Sequence, residues 1–249
     1  MTSPVTLAPE TTIAITGAGR LGGVLATALR ASGLTVYGPL RRDEEIPSVD
    51  IALLCVPDSA IPKAAAVART RATRIGHVSG ATPLGDVDFS IHPLQTFTGT
   101  ESPDIFHGIG AAIAGRTPAD KNIAEQLARA LGAQPFEVDD AHRAGYHAAA
   151  SFASNFVLTV LDAAEQLAAS AGIPDDEARA LLAPLIRRTI DNWQGAGTTA
   201  SLTGPIARGD EVTIARQRAA VAEADPALAS LFDELATATR AIACQKASV

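Results

Sequence analysis

Three glycines near the start of the sequence constrain its fold more than any other feature. Gly17, Gly19 and Gly22 form the pattern G-x-G-x-x-G, directly after the β-forming run TTIAIT and directly before a helical run. In this context the first glycine permits a tight turn, the second lets the backbone approach a pyrophosphate, and the third lets strand and helix pack closely. The alternative is a glycine-rich turn that binds nothing. We predict a dinucleotide-binding loop, with phosphates at the helix N-terminus, formed by Gly17, Ala18, Gly19, Arg20, Leu21 and Gly22.

The first half of the sequence alternates β-forming and helical segments, and the second half is helical throughout. Strands are predicted at Thr12–Thr16, Leu34–Tyr37, Ile51–Val56, Arg74–Val78, Phe89–His92, Ala111–Ala114 and Pro135–Val138. Helices are predicted at Arg20–Ala31, Ser59–Thr70 and Pro118–Leu131, then as one long helix over about residues 140–171, another from Pro174 to about Trp193, and two more split near Asp225. Such alternation is typical of the α/β class. The sequence therefore predicts a Rossmann domain with a parallel sheet over residues 1–139 and an all-helical domain over residues 140–249.

Composition and charge exclude several classes of protein. The 249 residues are 47% hydrophobic and 19% charged, as in ordinary globular domains, and the formal net charge of −7 argues against a nucleic-acid partner.

The most apolar stretch, residues 144–161, contains polar side chains, so we expect a buried helix and not a membrane span. That helix is apolar on nearly all sides, which favours a homodimer through the helical domain. With two cysteines and no recognisable signal sequence, we expect a cytoplasmic protein with no metal site.

The segment VYGPLRRDEE bears on which dinucleotide would bind. NAD-binding proteins hold the ribose 2′-hydroxyl with an acidic residue about twenty positions beyond the glycine loop. That position falls here at Gly38, and Arg41 and Arg42 follow it. Because guanidinium groups pair well with phosphate oxygens, we predict NADP(H) as the cofactor, with both arginines on its 2′-phosphate. The alternative is a solvated basic turn that is balanced by the acidic residues after it.

Two later strand ends would open onto the same edge of the sheet. Val56-Pro57 follows one buried β run, and Ser79-Gly80 ends the next. Ligands bind beyond the carboxyl ends of the strands in such folds, so we predict that these four residues lie along the cofactor. For Asp58, which follows the first pair, an ordinary strand-to-helix loop is the alternative explanation.

Polar side chains at two places are candidates for the chemistry. His92 ends a predicted strand and would exchange a proton near neutral pH, unless it only caps the strand end. His147, Ser151 and Asn155 recur at intervals of four on the long helix, so they would share one face. There they would contact a substrate or the nicotinamide amide, or else form a hydrogen-bond network between helices. We predict these four residues as catalytic.

The segment SLTGPIARGD is a candidate for substrate binding. Thr203 and Gly204 offer a hydroxyl and backbone N–H groups, and Arg208 offers a guanidinium to a carboxylate. Arg208 would otherwise pair with Asp210. We predict that a small carboxylate substrate is held by Thr203, Gly204 and Arg208.

Four motifs in this order, GAGRLGGVLATAL, HPLQTF, YHAAASFASNF and TGPIARGD, resemble a bacterial family of Rossmann-like proteins with a C-terminal domain of unknown function. The resemblance covers nearly the whole sequence. The family is similar to proteins whose helical C-terminal domain is like that of 6-phosphogluconate dehydrogenase, among them ketopantoate reductase, pyrroline-5-carboxylate reductase and prephenate dehydrogenase. It implies a two-domain fold, NADP(H), a cleft between the domains and a dimer formed through the helices.

The same resemblance implies an activity. Some members of the family are regarded as alternative ketopantoate reductases, which implies reduction of 2-dehydropantoate (ketopantoate) to pantoate. His92-Pro93 resembles the His-Pro of prephenate dehydrogenases, whose histidine meets the reacting oxygen. The usual ketopantoate reductases use a lysine on the first long helix, and this chain has none there. Two alternatives stay open: reduction of a cyclic imine, whose iminium form arrives already protonated, and a non-catalytic, NADP-binding regulatory role.

Overall fold

A seven-stranded sheet forms the centre of the first part of the molecule. The computed structural model describes residues 7–8 and 10–246 and consists of two compact units, which divide after Ser154. The strands of the first unit are β1 (Thr12–Thr16), β2 (Thr35–Leu40), β3 (Val49–Leu54), β4 (Ala72–His77), β5 (Phe89–Pro93), β6 (Gly110–Gly115) and β7 (Gln134–Glu137). Their spatial order is β2-β1-β3-β4-β5-β6-β7. The predicted α/β class is confirmed.

The sheet is mostly parallel, with one antiparallel junction. β5 and β6 run in opposite directions, with Ile91 opposite Ile113, and β7 then pairs parallel to β6. A parallel connection needs a crossover, usually a helix. The segment between β5 and β6 contains only a 3₁₀ turn at Pro103–Phe106, which suits an antiparallel return.

Helices cover both faces of the sheet because alternate strand residues point to opposite sides. Ile13 and Ile15 of β1 pack in a cluster with α1 (Arg20–Ala31) and α3 (Pro118–Ala130). Ala14, between them, belongs to a second cluster with α2 (Ile61–Ala68). The sequence predicts that α2 begins at Ser59, but a 3₁₀ turn occupies Asp58–Ala60 and the α-helix begins two residues later than predicted.

Helix α4 (Arg143–Ala153) completes the first unit, whereas the sequence-based division at residue 139 groups it with the helical region. The single long helix predicted over residues 140–171 is wrong. Ser154 has φ −131° and ψ −77°, and its hydroxyl donates a hydrogen bond to the Ala150 carbonyl at 2.7 Å. The helix therefore ends there, and α5 begins at the next residue.

The second unit is helical. Its helices are α5 (Asn155–Ser170), α6 (Asp175–Ser201), α7 (Pro205–Arg208), α8 (Glu211–Ala224) and α9 (Pro226–Lys246). α6 runs beyond its predicted end at Trp193, but its path is interrupted at Gly197, where φ is 76° and ψ is 175°. Over residues 7–8 and 10–246, no helix has the length and apolar character that crossing a bilayer requires.

Candidate functional site

The glycine loop joins β1 to α1, and packing requires two of its glycines. Gly17 has a φ of 110°, and a Cβ there would lie 2.2 Å from the Cys55 carbonyl oxygen. A Cβ at Gly22 would lie 2.0 Å from the Gly17 carbonyl oxygen. At Gly19, by contrast, a Cβ would meet no heavy atom of the described chain within 4 Å beyond its immediate neighbours. The loop thus presents open backbone and the first N–H groups of α1 to a ligand.

A cavity of about 590 Å³ lies beside this loop. Its walls come from the glycine loop, the turn after β2 and the residues from the end of β3 into α2. The predicted cofactor residues that line it are Gly17, Ala18, Gly19, Arg41, Arg42, Val56 and Pro57. Arg20, Leu21 and Gly22 form the first turn of α1 instead. The structure therefore gathers two separate sequence motifs around one space, and their binding roles stay predictions.

Three cationic side chains line the cavity, and none forms a salt bridge within the part of the chain that the structure describes. They are Arg41, Arg42 and Lys63. Glu44 also lines the cavity, but its carboxylate accepts a hydrogen bond from the Arg41 backbone N–H and so closes the turn. Sequence reasoning missed Lys63, because it lies in α2 and belongs to no nucleotide motif.

His92 and two side chains of α4 form a second polar site in the first unit. Nδ1 of His92 lies 2.6 Å from the Tyr146 hydroxyl, and the ring centres of His92 and His147 are 6.0 Å apart. Both imidazoles face Gly80, where a Cβ would lie 2.9 Å from Nε2 of His92 and from Nδ1 of His147. Two predicted catalytic residues and one predicted cofactor residue therefore converge at the carboxyl end of β4.

Burial keeps the His92–Tyr146 pair neutral. The pKa of His92 is lowered to about 4, first because burial disfavours the charged imidazole and then because His147 and Arg143 lie nearby. Burial raises the pKa of Tyr146 to about 12. At neutral pH His92 is therefore a neutral imidazole that donates or accepts hydrogen bonds, and the prediction that it exchanges a proton near neutral pH is wrong.

Arg143 anchors α4 to the sheet, a role that sequence reasoning missed. Its side chain is buried, and its guanidinium forms a salt bridge with Asp140 at 2.7 Å. It also donates to the hydroxyl of Ser90 in β5 and to the Ser79 carbonyl at 3.5 Å. Because α4 carries Tyr146 and His147, these contacts fix both side chains relative to the strand ends.

The hydroxyls of two predicted site residues bond locally. Oγ of Ser79 accepts hydrogen bonds from the Ala81 and Thr82 backbone N–H groups at 3.2 and 2.9 Å, and it therefore stabilises its own turn. The Ser151 hydroxyl donates to the His147 carbonyl at 3.1 Å, within α4. The roles predicted for both serines stay predictions.

The remaining predicted residues belong to the second unit. Asn155 begins α5, so the prediction that it shares one continuous helix face with His147 and Ser151 is wrong, because the helix breaks at Ser154. Gly204, with a φ of 95°, precedes the short helix α7, and exposed Arg208 ends it. In the described ranges Arg208 forms no salt bridge, and Asp210 caps α8 by accepting from the Thr213 N–H at 3.0 Å.

Comparisons with known proteins agree with this architecture. The model of the family described as "Domain of unknown function (DUF2520)" matches residues 109–239. A structure from Bacteroides fragilis, described as a candidate NADP oxidoreductase, has 24% sequence identity and a TM-score of 0.78 over 93% of this chain and 98% of that chain. A Thermotoga maritima protein has 21% identity and a TM-score of 0.74 over 94% and 98%. Pyrroline carboxylate reductase from Plasmodium falciparum, with NADP bound, has 11% identity and a TM-score of 0.60 over 94% and 100%. No curated protein matches the sequence.

Proposed function

The chain belongs to the family described as a domain of unknown function (DUF2520), and on that premise we propose that it is an NADP(H)-dependent oxidoreductase that reduces a small 2-oxo acid. The best single candidate substrate is 2-dehydropantoate (ketopantoate), which would be reduced to pantoate. The observation that carries the proposal is the cavity of about 590 Å³, in which an open glycine loop meets three cations. A glycine loop suits any dinucleotide, whereas the cations suit one that bears an additional phosphate.

The residues around the cavity fit NADP(H) better than NAD(H). Arg41 and Arg42 lie on the turn after β2, where the adenosine ribose is held in this class of fold. Glu44, the acid that lines the cavity, accepts a hydrogen bond from the Arg41 backbone N–H, whereas both guanidiniums line the cavity without a salt bridge in the described chain. We therefore assign the 2′-phosphate to the arginines and the pyrophosphate to the backbone at Gly19.

His92 and His147 are the proposed groups at the reacting oxygen. When bound, NADPH would supply a hydride to the carbonyl carbon, and His147 would deliver the proton that the oxygen then takes up. Nε2 of His92 and Nδ1 of His147 both flank Gly80, so a carbonyl oxygen that binds beside these two atoms would meet both rings. Arg143 and Tyr146 hold this pair in place.

The predicted roles of the other polar residues complete the proposal. Asn155 and Ser151 would orient the substrate carbonyl, and Thr203, Gly204 and Arg208 would hold its carboxylate. The support for Arg208 is that its guanidinium is exposed and forms no salt bridge in the described chain. The proposal keeps a Rossmann domain over residues 1–139, a helical substrate and dimerisation domain over residues 140–249, a homodimer and a cytoplasmic location.

Reduction of a cyclic imine is a second candidate function. α4 has no lysine that would protonate a ketone oxygen, and an iminium arrives with its proton already in place. Similarity in fold to a pyrroline carboxylate reductase is compatible with this chemistry. A non-catalytic, NADP-binding regulatory role is the third candidate, and it predicts binding without turnover.

Nucleotide titration followed by a substrate panel tests the proposal. We expect NADPH to bind more tightly than NADH, and Arg41→Ala with Arg42→Ala to weaken NADPH binding by at least about 100-fold, since each charge-assisted hydrogen bond contributes roughly 1.5–3 kcal/mol. NADH binding should change little. Arg129→Ala, which removes an exposed arginine of α3 paired with Glu125, is the matched control and should bind NADPH as the wild type does.

The substrate panel separates the three candidate functions. With NADPH as the reductant, 2-oxo acids and cyclic imines are assayed side by side by the loss of nicotinamide absorbance. Turnover of a 2-oxo acid supports the first candidate and turnover of an imine supports the second. Tight binding without turnover of either class supports the third. If neither nucleotide binds, all three are wrong.

A further inference from the structure

The contact between Tyr146 and His92 determines which nitrogen of the imidazole carries hydrogen. The Tyr146 ring is held by edge contacts with two other rings, His92 at a centre distance of 5.6 Å and Phe136 at 5.8 Å. Its hydroxyl lies 2.6 Å from Nδ1 of His92. These two ring contacts and the hydrogen bond to His92 together fix the position of the hydroxyl.

Tyr146 is the donor in this hydrogen bond. The lone pair of an imidazole nitrogen is a stronger acceptor than a phenol oxygen, and a phenol O–H is a strong donor. The raised pKa of Tyr146 keeps its hydroxyl protonated, and the lowered pKa of His92 keeps its ring neutral. A neutral imidazole carries one N–H, so an Nδ1 that accepts from Tyr146 leaves the hydrogen on Nε2.

Nε2 of His92 is the atom that faces the site. It would lie 2.9 Å from a Cβ at Gly80, as would Nδ1 of His147. Because residue 80 is glycine, no side chain at that position displaces either ring. The hydrogen bond of His92 within the described chain is made by Nδ1, so Nε2 remains available to a ligand. A substrate atom beside Nε2 meets an N–H donor from His92.

We propose that Tyr146 is a positioning residue that holds His92 as the Nε2–H tautomer, and that the site consequently selects a substrate whose reacting heteroatom has a free lone pair. This inference rests on the proposed reductase function and narrows it. A carbonyl oxygen accepts a hydrogen bond from Nε2–H, and the bond strengthens as negative charge develops on that oxygen. An iminium nitrogen has no lone pair and carries its own hydrogen, so it would meet the same donor unfavourably. As a donor, His92 therefore favours the carbonyl of the proposed 2-oxo acid over an iminium.

The tautomer of His92 can be measured directly by nuclear magnetic resonance. In protein labelled with ¹⁵N at its five histidines, protonated and unprotonated ring nitrogens give distinct shifts, and His92→Asn identifies the His92 signals by their loss. We expect hydrogen on Nε2 in the wild type and a mixture of tautomers in Tyr146→Phe, which keeps the ring but removes the donor. Tyr37→Phe alters the other tyrosine of the chain, and we expect it to leave the His92 signals unchanged.

Two results would overturn the assignment. One is hydrogen on Nδ1 of His92 in the wild type, and the other is a Tyr146→Phe spectrum with the wild-type tautomer. The wild-type spectrum decides the question by itself should Tyr146→Phe fail to fold. Neither measurement requires nucleotide, so the tautomer is settled whether or not the proposed function survives its own titration.

The substrate class has a separate readout. We expect Tyr146→Phe to lower kcat for a 2-oxo acid by about 10- to 100-fold and to leave the Kd for NADPH unchanged. The decrease in kcat should be smaller than the roughly 100- to 1,000-fold decrease that follows when an oxyanion donor is removed outright, because His92 itself is still present. Tyr37→Phe should match the wild type in both kcat and Kd. Faster wild-type turnover of an iminium than of any 2-oxo acid would contradict the proposed selection.

Discussion

At the scale of single residues, burial of the His92 imidazole makes stability depend on pH. In the folded protein the pKa of His92 is about 4, whereas the ordinary value is 6.5. Above pH 6.5 the ring is neutral in both the folded and the unfolded state, so it contributes no pH dependence there. As the pH falls from 6.5 towards 4, only the unfolded state takes up the proton. The free energy of unfolding therefore decreases, by up to roughly 3 kcal/mol.

Replacing His92 by asparagine is expected to remove this contribution to the pH dependence of stability. His92→Asn should be less stable than the wild type at neutral pH because it loses packing, and the difference should shrink by up to roughly 3 kcal/mol as the pH approaches 4. Urea unfolding at a series of pH values measures both proteins. The carboxylates and His77 also titrate in this pH range, and burial lowers the pKa of His77 as well. Both proteins contain these groups, so their contributions to the free energy of unfolding cancel in the comparison. A stability difference that is constant over this range would show that the imidazole titrates normally.

At the scale of elements, helix α4 depends on one buried charge. Arg143 is 3% exposed and connects α4 with Asp140, Ser79 and Ser90. Because such an arginine has little access to water, the N–H groups of its guanidinium must find their hydrogen-bond acceptors within the protein. Removing it leaves the Ser90 hydroxyl and the Asp140 carboxylate without the guanidinium.

We expect Arg143→Ala to lower the free energy of unfolding by roughly 1–3 kcal/mol, because the buried Ser90 hydroxyl loses its partner whereas the Asp140 carboxylate, which is 43% exposed, can be solvated by water. Amide hydrogen exchange should accelerate within α4 more than within β1 or β3, because the helix loses its anchor while the centre of the sheet keeps its core. Arg129→Ala removes a guanidinium from an exposed pair with Glu125 and should cost less than about 0.5 kcal/mol. Equal effects of the two substitutions would mean that Arg143 does not anchor the helix.

Most elements of the first unit could be predicted from the sequence because their signals are local. Each strand is a short apolar run, and α1 and α3 begin where the glycine loop and the Thr117 cap place them. The break at Ser154 could not be predicted, because the segment FASNF contains neither glycine nor proline and its neighbours favour a continuous helix. The antiparallel pairing of β6 likewise depends on which strand it meets, and no local pattern encodes that choice.

The candidate site shows the same limit. Gly17, Arg41 and Arg42 could be predicted because they belong to one motif or follow it at a known distance. His92 and His147 were each recognisable, but their approach to Gly80 depends on how α4 packs on the sheet. The roles of Lys63, Arg143 and Tyr146 could not be predicted, because they arise from partners that lie far away in the sequence. The position of Arg143 and Tyr146 beside His147 in the segment RAGYHAAA was the only available signal for those two.

At the scale of the whole molecule, the second unit buries few large side chains of its own. Among its described residues, the buried hydrophobic ones are Ala168, Ala178, Ile214, Val221 and Ala236. Large apolar side chains on α5 and α6 are instead more than half exposed, namely Leu158, Leu181, Leu185 and Trp193. The same two helices line a cavity of about 470 Å³, whose walls combine apolar side chains with those of Asp162, Glu165, Arg179 and Arg187. Clustered apolar exposure of this kind is typical of a surface that another protein covers.

The predicted homodimer would cover this surface, and light scattering after size exclusion tests it. We expect the wild type at about 51 kDa, twice the 25.5 kDa of one chain, and Leu181→Asp with Leu185→Asp at 25.5 kDa, because two buried carboxylates would oppose association. Val212→Asp places the same charge on α8 at a residue that is 64% exposed, and it should remain dimeric. NADPH binding should survive in the monomeric variant, since the cavity with the glycine loop lies wholly within the first unit. A wild type with the mass of one chain, or a double variant with the mass of two, would rule out dimerisation through α6.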